Sequence, residues 1–307
     1  MEKGNQSVIC IQAKTLPEAF ATTLKELWEK GTDISTSFDN PGDPPSKDAS
    51  VWIIIEDPFA EPCFHKLGWP GGPQDMEIYR LEVVAGVHDH WVERGGVKWN
   101  YTYHERLRAY DVGTGNKTEQ IENMIKEMVD APDLYRRRFQ VTTWIPGVDP
   151  FIKDPPCLQR LHFRWLPGEN GIWVLNLNSS WRSRDFPKAW FMNVRGITDI
   201  QRLVAQEVGK RRGIKVKLGR YTDFSDSLHI YGKDFHGSGG VKESLDRIAR
   251  QSIEELTWRT EELQEMFIEA RHTLAAQLES EKRGAGKGVI LPDIDGKIFS
   301  YPAEWDL

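Results

Sequence analysis

Cys157 follows two prolines in DPPC (154–157), at the start of a run with strand-like alternation. A cysteine reacts as its thiolate, and guanidinium groups close by lower its pKa. Arg160, Arg164 and Arg182 are the cationic neighbours a fold could supply. In such company Cys157 is a nucleophile; without it, the same side chain is a small apolar core residue. Cys10 and Cys63 have no comparable setting and read as structural. Glu82 lies in YRLEVVAG, inside the apolar face of a helical pattern. A carboxylate there must be paired or protonated, because burying an unpaired charge is costly. It is either a general acid/base with a raised pKa or the ion-pair partner of Arg80 or Arg106.

Two arginine clusters flank this cysteine: Arg136–Arg137–Arg138 leading into a strand, and WRSRD (181–185) at a strand-to-helix junction. Arginine forks, a serine hydroxyl and free helix N–H groups together suit a phosphate, so a small anionic ligand is expected. The basic stretch GKRRGIKVKLGR (209–220) reads as a solvated connector ahead of a polyanion site. His88 and His90 stand two apart in a helical pattern, on different faces. With His104 they make no shared ion site, and no metal is expected. The glycine clusters at 68–72 and 236–240 lack both GK[ST] and GxGxxG, which leaves ATP and NAD without support.

The elements that must position these residues follow from periodicity. Leu16, Phe20, Leu24 and Leu27 predict a helix capped by Thr15 and ending at Gly31. Residues 32–50 are polar and Pro/Gly-rich, hence a long loop. VWIII (51–55) is a buried strand, and 58–73 is again loop. Helices are expected at 75–92 and at 118–130, the second opened by Thr118. Strands at 138–144, 158–165 and 172–181 should be antiparallel neighbours. A helix follows at about 187–208, and a long helical region at 240–283. Without repeats or a clean linker, residues 1–307 read as one α/β (α+β) domain with helices packed on a sheet. Forty basic against 46 acidic residues give a net charge of −6, which argues against a nucleic-acid-gripping protein. Three cysteines and no long apolar run suit a soluble, cytoplasmic protein with no membrane span.

Taken in order, RRFQVTTW (137–144), PPC (155–157), RSRD (182–185), Asn193 and HIY (229–231), with YRLEVV around Glu82 and YTYHERL (101–107), resemble the thymidylate synthase superfamily, which includes pyrimidine nucleotide hydroxymethylases. HDHW, YTYHERL and SLHIYG are more similar to archaeal-type or hydroxymethylase-type members than to the common bacterial synthase. The resemblance implies a large, mostly antiparallel or mixed sheet whose face forms the interface of a homodimer. It implies that Cys157 adds to C6 of a pyrimidine nucleoside monophosphate, so that C5 attacks the one-carbon unit of 5,10-methylenetetrahydrofolate. Glu82 would relay protons, and Tyr101, or Tyr103 with the register shifted, would support removal of the C5 proton. Arg182 and Ser183 would hold the phosphate, joined by Arg137 and Arg138 across the dimer interface. His229 and Tyr231 would bind the sugar, Asp185 the pterin, and Asn193 the base, its amide favouring uracil.

The chain departs from the family pattern at Leu158, where a histidine is usual, at His162, where a glutamine is usual, at KAWFM (188–192), and in the 31–50 loop, where Lys47 stands and no arginine does. These departures bear on product, sugar and base and leave the cysteine addition intact. The activity implied is thymidylate synthesis from dUMP. A 5-hydroxymethylase of dCMP, CMP or dUMP shares the adduct, with water replacing hydride. A non-catalytic relative binding nucleotide or RNA through 209–220 is the reading of another class.

Overall fold

The computed structural model describes residues 4–93 and 99–285. In chain order its elements are β1 (Ser7–Ala13), α1 (Leu16–Lys30), β2 (Thr32–Ile34), β3 (Ser46–Ile55), β4 (Phe64–His65), α2 (Pro73–Ala85), α3 (Tyr103–Arg108), α4 (Gln120–Asp130), β5 (Gln140–Thr142), β6 (Leu158–Pro167), β7 (Trp173–Trp181), β8 (Arg184–Asp185), α5 (Phe191–Arg212), β9 (Val216–Ile230), α6 (Val241–Arg250), β10 (Thr257–Trp258) and α7 (Thr260–Ala285). Six strands follow one another in hydrogen-bonded order β1-β3-β9-β7-β6-β5. With β2 joined to β3 and β8 to β9 they make one mixed sheet, while β4 and β10 form a separate pair. The mixed α/β fold with a large sheet and packed helices is the expected class. Among the described residues no helix is long and apolar enough to cross a membrane.

The chain divides into two compact units, each drawn from three stretches. The first takes the described parts of Met1–Pro70, Leu177–Val194 and Gly219–Glu262. Its opening helix forms as the sequence dictates: the Thr15 hydroxyl accepts from Glu18 N–H, the Glu18 carboxylate accepts from Thr15 N–H, and Leu16, Phe20, Leu24 and Leu27 are buried. Phe20 packs against His65, Phe186, Trp190 and Phe191, the aromatic core of this unit. β1 runs parallel to β3, and β3 antiparallel to β9 with a register shift between Ala49 and Val51. The loop expected at 32–50 is therefore shorter: β2 and the first half of β3 occupy its ends. Polar residues are tolerated in β3 because neighbours satisfy them, as when the Asp48 carboxylate accepts from Gln6 and Ser227. Past β9, a Cβ on Gly232 would lie 1.8 Å from the Pro44 carbonyl oxygen, so only glycine lets the 35–45 loop close on that strand end.

The second unit takes Gly71–Asn176, Arg195–Leu218 and the described part of Leu263–Leu307. α2 ends at Ala85 and does not run to 92, because Gly86 adopts φ +66°. A Cβ at Gly86 would collide with the His104 ring, and the chain turns there into a short 3₁₀ segment, Asp89–Trp91. α4 is opened by Glu119, whose carboxylate accepts from Glu122 N–H; Thr118 instead exchanges backbone bonds with Tyr110. β5 and β6 are antiparallel as expected, pairing Gln140 with His162 and Thr142 with Arg160. α5 continues through Gly209 to Arg212 and stops at Gly213, which has φ +63°.

The basic 209–220 stretch is thus a helix end and a strand start, and its arginines are engaged. In this unit Arg211 pairs with Glu122 and Glu207, and Arg212 donates to the carbonyls of Met128, Val129 and Ala131. In the first unit Arg220 donates to Asn178 and Thr222. The helical region expected at 240–283 is two helices, α6 and α7, because residues 251–259 carry a turn and β10. Leu274 and Leu278 of α7 pack on Leu81 and Val87.

Candidate functional site

In the second unit α2 carries Tyr79 and Glu82 three residues apart, and Arg80 beside them is buried in ion pairs with Glu77 and Asp199. That network orients the helix and removes Arg80 as a partner for Glu82. Arg106 is also taken: its fork donates to both oxygens of Asp149, at 2.7 and 3.1 Å, and to the Thr143 carbonyl. The partner Glu82 does have is His88, whose Nδ1 lies 2.9 Å from Oε2. The Tyr101 ring sits over the Arg106 guanidinium, 5.8 Å from its centre, and its own centroid is 5.5 Å from that of Tyr103. Burial first, then the neighbouring Tyr101, Cys157 and Tyr79 groups and a hydrogen bond with Tyr101, push the Tyr103 hydroxyl well above the ordinary phenol range. The half-buried Cys157 thiol, immediately before β6, therefore stands within electrostatic reach of the Tyr103 hydroxyl.

In the first unit strand register assembles the rest. β8 lies parallel to β9, placing Asp185 opposite His229, and β3 places Asp48 opposite His229 from the other side. RSRD and HIY, far apart in sequence, thus meet on adjacent strands. Within RSRD, Arg184 turns inward: it donates to Asp223 and Ser225 and stacks over Trp181, 4.0 Å from the ring centroid. Arg182 and Ser183 occupy the bend before it, both half-buried. Asp185 caps the turn into α5 by accepting from Lys188 N–H. Burial, with Asp234 adding to it, raises its carboxyl to about 6 against the pull of Lys188. Burial lowers the His229 pKa, opposed by Asp48 and the Ser227 carbonyl, so its ring is neutral at physiological pH. Its Nε2 is buried with no hydrogen-bond partner among the described residues. The Tyr231 ring packs edge-on to His229 with centroids 4.6 Å apart, and Asn193 lies in the first turn of α5, 6% exposed.

The expected arginine neighbours of Cys157 are in part elsewhere. Arg160 is exposed, and Arg164 donates to the carbonyls of Tyr135 and Arg136. Arg136 and Arg138 both pair with Glu127, while Arg137, exposed, has no ion-pair or hydrogen-bond partner for its guanidinium among the described residues. Together with Asp133 and Tyr135 the three arginines line an open concavity. Lys47 is held by Asp33 at 2.7 Å. Sequence reasoning overlooked Tyr79, which its spacing from Glu82 could have flagged as a same-face neighbour. His88 enters the sequence reading as a rejected metal ligand and within HDHW, with no role of its own, and Asp48 falls in an expected loop. The two units carry different chemistry. One holds a thiol, protonated phenols and an oriented carboxylate; the other holds a guanidinium, a hydroxyl, a neutral imidazole, an amide and a carboxyl that titrates near neutrality.

A family model described as thymidylate synthase matches residues 73–275. A protein of Methanosarcina barkeri, provisionally named a thymidylate synthase, is 29% identical over 220 residues, spanning 70% of this chain and 89% of that one. Another of Methanothermobacter thermautotrophicus, under the same provisional name, is 32% identical over 167 residues, 54% of this chain and 63% of that one. Among solved structures, thermostable thymidylate synthase A from Bacillus subtilis matches with a TM-score of 0.54 at 16% identity, covering 78% of this chain and 86% of its own, a likeness of fold. The family model reaches across the segments bearing Glu82, Cys157, Arg182 and Asn193, and the chain belongs to the thymidylate synthase family.

Proposed function

We propose that this protein methylates dUMP at C5, with 5,10-methylenetetrahydrofolate as second substrate and Cys157 as nucleophile. The observation that carries this reading is the Cys157 thiol within electrostatic reach of the Tyr103 hydroxyl, in the same compact unit as Tyr101 and the His88-bound Glu82. C5 of uracil is a poor nucleophile until C6 is saturated. Addition of the thiolate at C6 moves electron density to C5 and O4, and C5 then forms the new carbon–carbon bond. The folate supplies a one-carbon unit and, for a methyl product, a hydride. Loss of the C5 proton expels the folate nitrogen from the new carbon and leaves an exocyclic methylene, hydride turns that into methyl, and departure of the Cys157 thiolate restores the ring double bond. Glu82 serves as the proton relay toward O4, and Tyr101, held over Arg106, supports the C5 proton's departure.

The other unit supplies recognition. Arg182 and Ser183 hold the phosphate, and the unpartnered Nε2 of His229, with the Tyr231 hydroxyl, suits a sugar hydroxyl. Asn193 donates to O4 and accepts from N3–H, the polarity of uracil. The Asp185 carboxyl, ionised above about 6, offers two acceptor oxygens to the N–H groups of the pterin, so the residues present fit the folate. The protein acts as a homodimer in which Arg137, exposed and unpaired among the described residues, and Arg138 complete the partner's phosphate site.

The test is tritium release from dUMP and dCMP labelled at C5, with and without the folate, followed by product mass and dihydrofolate absorbance. Folate-dependent release from dUMP, with dihydrofolate formed and a methyl product, is expected. Release with no dihydrofolate and a hydroxymethyl mass would assign water in place of hydride. No release from any pyrimidine nucleotide would overturn the enzyme reading.

A further inference from the structure

We propose that His88 is a positioning residue that holds one oxygen of Glu82, its ring held in turn by a tryptophan latched to α7; this rests on the role of Glu82 in the reading above. The pairing follows from local structure. Gly86 ends α2 in the left-handed conformation, and the turn that follows folds His88 back along the helix so that Nδ1 lies 2.9 Å from Glu82 Oε2. A carboxylate only accepts, so the ring carries its proton on Nδ1 and donates. Among the described residues the Glu82 carboxylate has no other hydrogen-bond partner, and the side chain is 13% exposed, which leaves its second oxygen for water and substrate.

The His88 ring is itself immobilised. It stacks on Trp91, with centroids 3.9 Å apart and planes 6° from parallel, and meets the edge of Trp99 at 5.7 Å. The Trp91 indole N–H donates to Glu281 Oε2 at 3.0 Å, His90 Nε2 lies 2.5 Å from the same oxygen, and Gln277 donates to Glu281 Oε1 at 2.9 Å. Two aromatic rings and a carboxylate of α7 therefore fix the plane of one imidazole. That plane fixes a carboxylate whose rotamer would otherwise be free at the end of a helix. His88 Nε2 is buried without a partner among the described residues, so the bond to Glu82 is the ring's one polar contact.

The experiment starts from wild-type tritium release, because its absence would sink the enzyme reading before His88 is touched. Given release, His88→Leu should lower kcat roughly tenfold to a hundredfold while the Kd for dUMP stays within about twofold, as expected for a group acting through a proton-transfer residue. His88→Asn, whose amide nitrogen replaces Nδ1, should recover most of the loss, and His88→Gln, whose amide nitrogen replaces Nε2, should not. In a Glu82→Gln background His88→Leu should cost nothing further. Wild-type kcat in His88→Leu, equal activity of the Asn and Gln variants, or additive losses in the double variant would each overturn the proposal. Should the Leu variant fail to fold, the Asn and Gln pair decides it alone.

Discussion

Each compact unit buries an arginine–aspartate pair beneath an aromatic ring, and each pair stands beside residues proposed to work. In the second unit Arg106 forks onto Asp149 and the ring is Tyr101, itself a candidate for the chemistry. In the first, Arg184 donates to Asp223 and the ring is Trp181, a buried side chain whose indole N–H donates to Ser179. The satisfaction of the two guanidiniums also differs. Among the described residues only Nε of Arg106 lacks a hydrogen bond, whereas both Nε and Nη1 of Arg184 do. In one unit, then, the anchor lies against Tyr101, for which a part in the chemistry is proposed, and is nearly saturated. In the other the anchor pins the short strand β8, where Asp185 follows it and Arg182 and Ser183 occupy the bend before it. A damaged Arg106 site should be felt in the rate, and a damaged Arg184 site in binding.

The sharpest division of labour between the units is tested at Cys157. Replacing its sulfur with oxygen changes little in shape and removes the nucleophile, so Cys157→Ser should lower turnover by at least about a thousandfold while dUMP still binds. Turnover near wild type, read by tritium release, would take Cys157 out of the mechanism and collapse the contrast at its strongest point.

The paired anchors give the next largest effects. Asp149→Ala and Asp223→Ala each leave a buried arginine without its carboxylate, and each should cost about 3–5 kcal/mol in urea unfolding. In the fraction that stays folded, Asp149→Ala should lower kcat through Tyr101, and Asp223→Ala should raise the Kd for dUMP through the RSRD segment. The reverse assignment would show that the units do not divide rate from affinity. Smaller again is Asn193→Asp. Exchanging an amide for a carboxylate removes the donor that uracil O4 needs, and kcat/KM should shift toward dCMP by roughly tenfold or more. Unchanged selectivity would place base recognition on another residue.

What could be read from the sequence was what is local. The capping box of Thr15 and Glu18, the stripe from Leu16 to Leu27, and the motifs around Cys157 and RSRD each lie within a short window. The rest was set by distant partners. β9 carries Lys217, Arg220, Asp223 and Asp226 and resembles a solvated stretch until Arg184 and Tyr221 are seen to use Asp223. Asp48 gains meaning only from the register that sets it against His229. Glu82 was given two plausible arginine partners and has neither, because Glu77, Asp199 and Asp149 claim them first. β1 is the exception: the short apolar run at 8–11 could have been read as a strand, although the alternation that buries Ser7 and exposes Val8 and Cys10 follows from the fold and not from residue type.

Asp185 makes the comparison finest, because there affinity and stability should respond to pH in opposite directions. Its folded-state pKa of about 6 lies above the ordinary 3.8, mainly through burial, so folding favours the protonated carboxyl. Stability from this group is fully present below the ordinary value and is lost as pH rises through about 6. Binding asks for the reverse: the pterin needs the ionised form, so the KM for the folate should rise as pH falls through about 6. Asp185→Asn keeps the helix cap, since an amide oxygen still accepts from Lys188 N–H, and abolishes the titration. The variant should show a higher KM with no acidic limb, and above about 6 it should be at least as stable as the wild type. An acidic limb that survives in Asp185→Asn would assign the titration to another group, and a stability loss at high pH would mean that the ionised carboxylate is held by contacts stronger than its burial. The unit that recognises the ligand would then not be carrying the strained charge that its geometry implies.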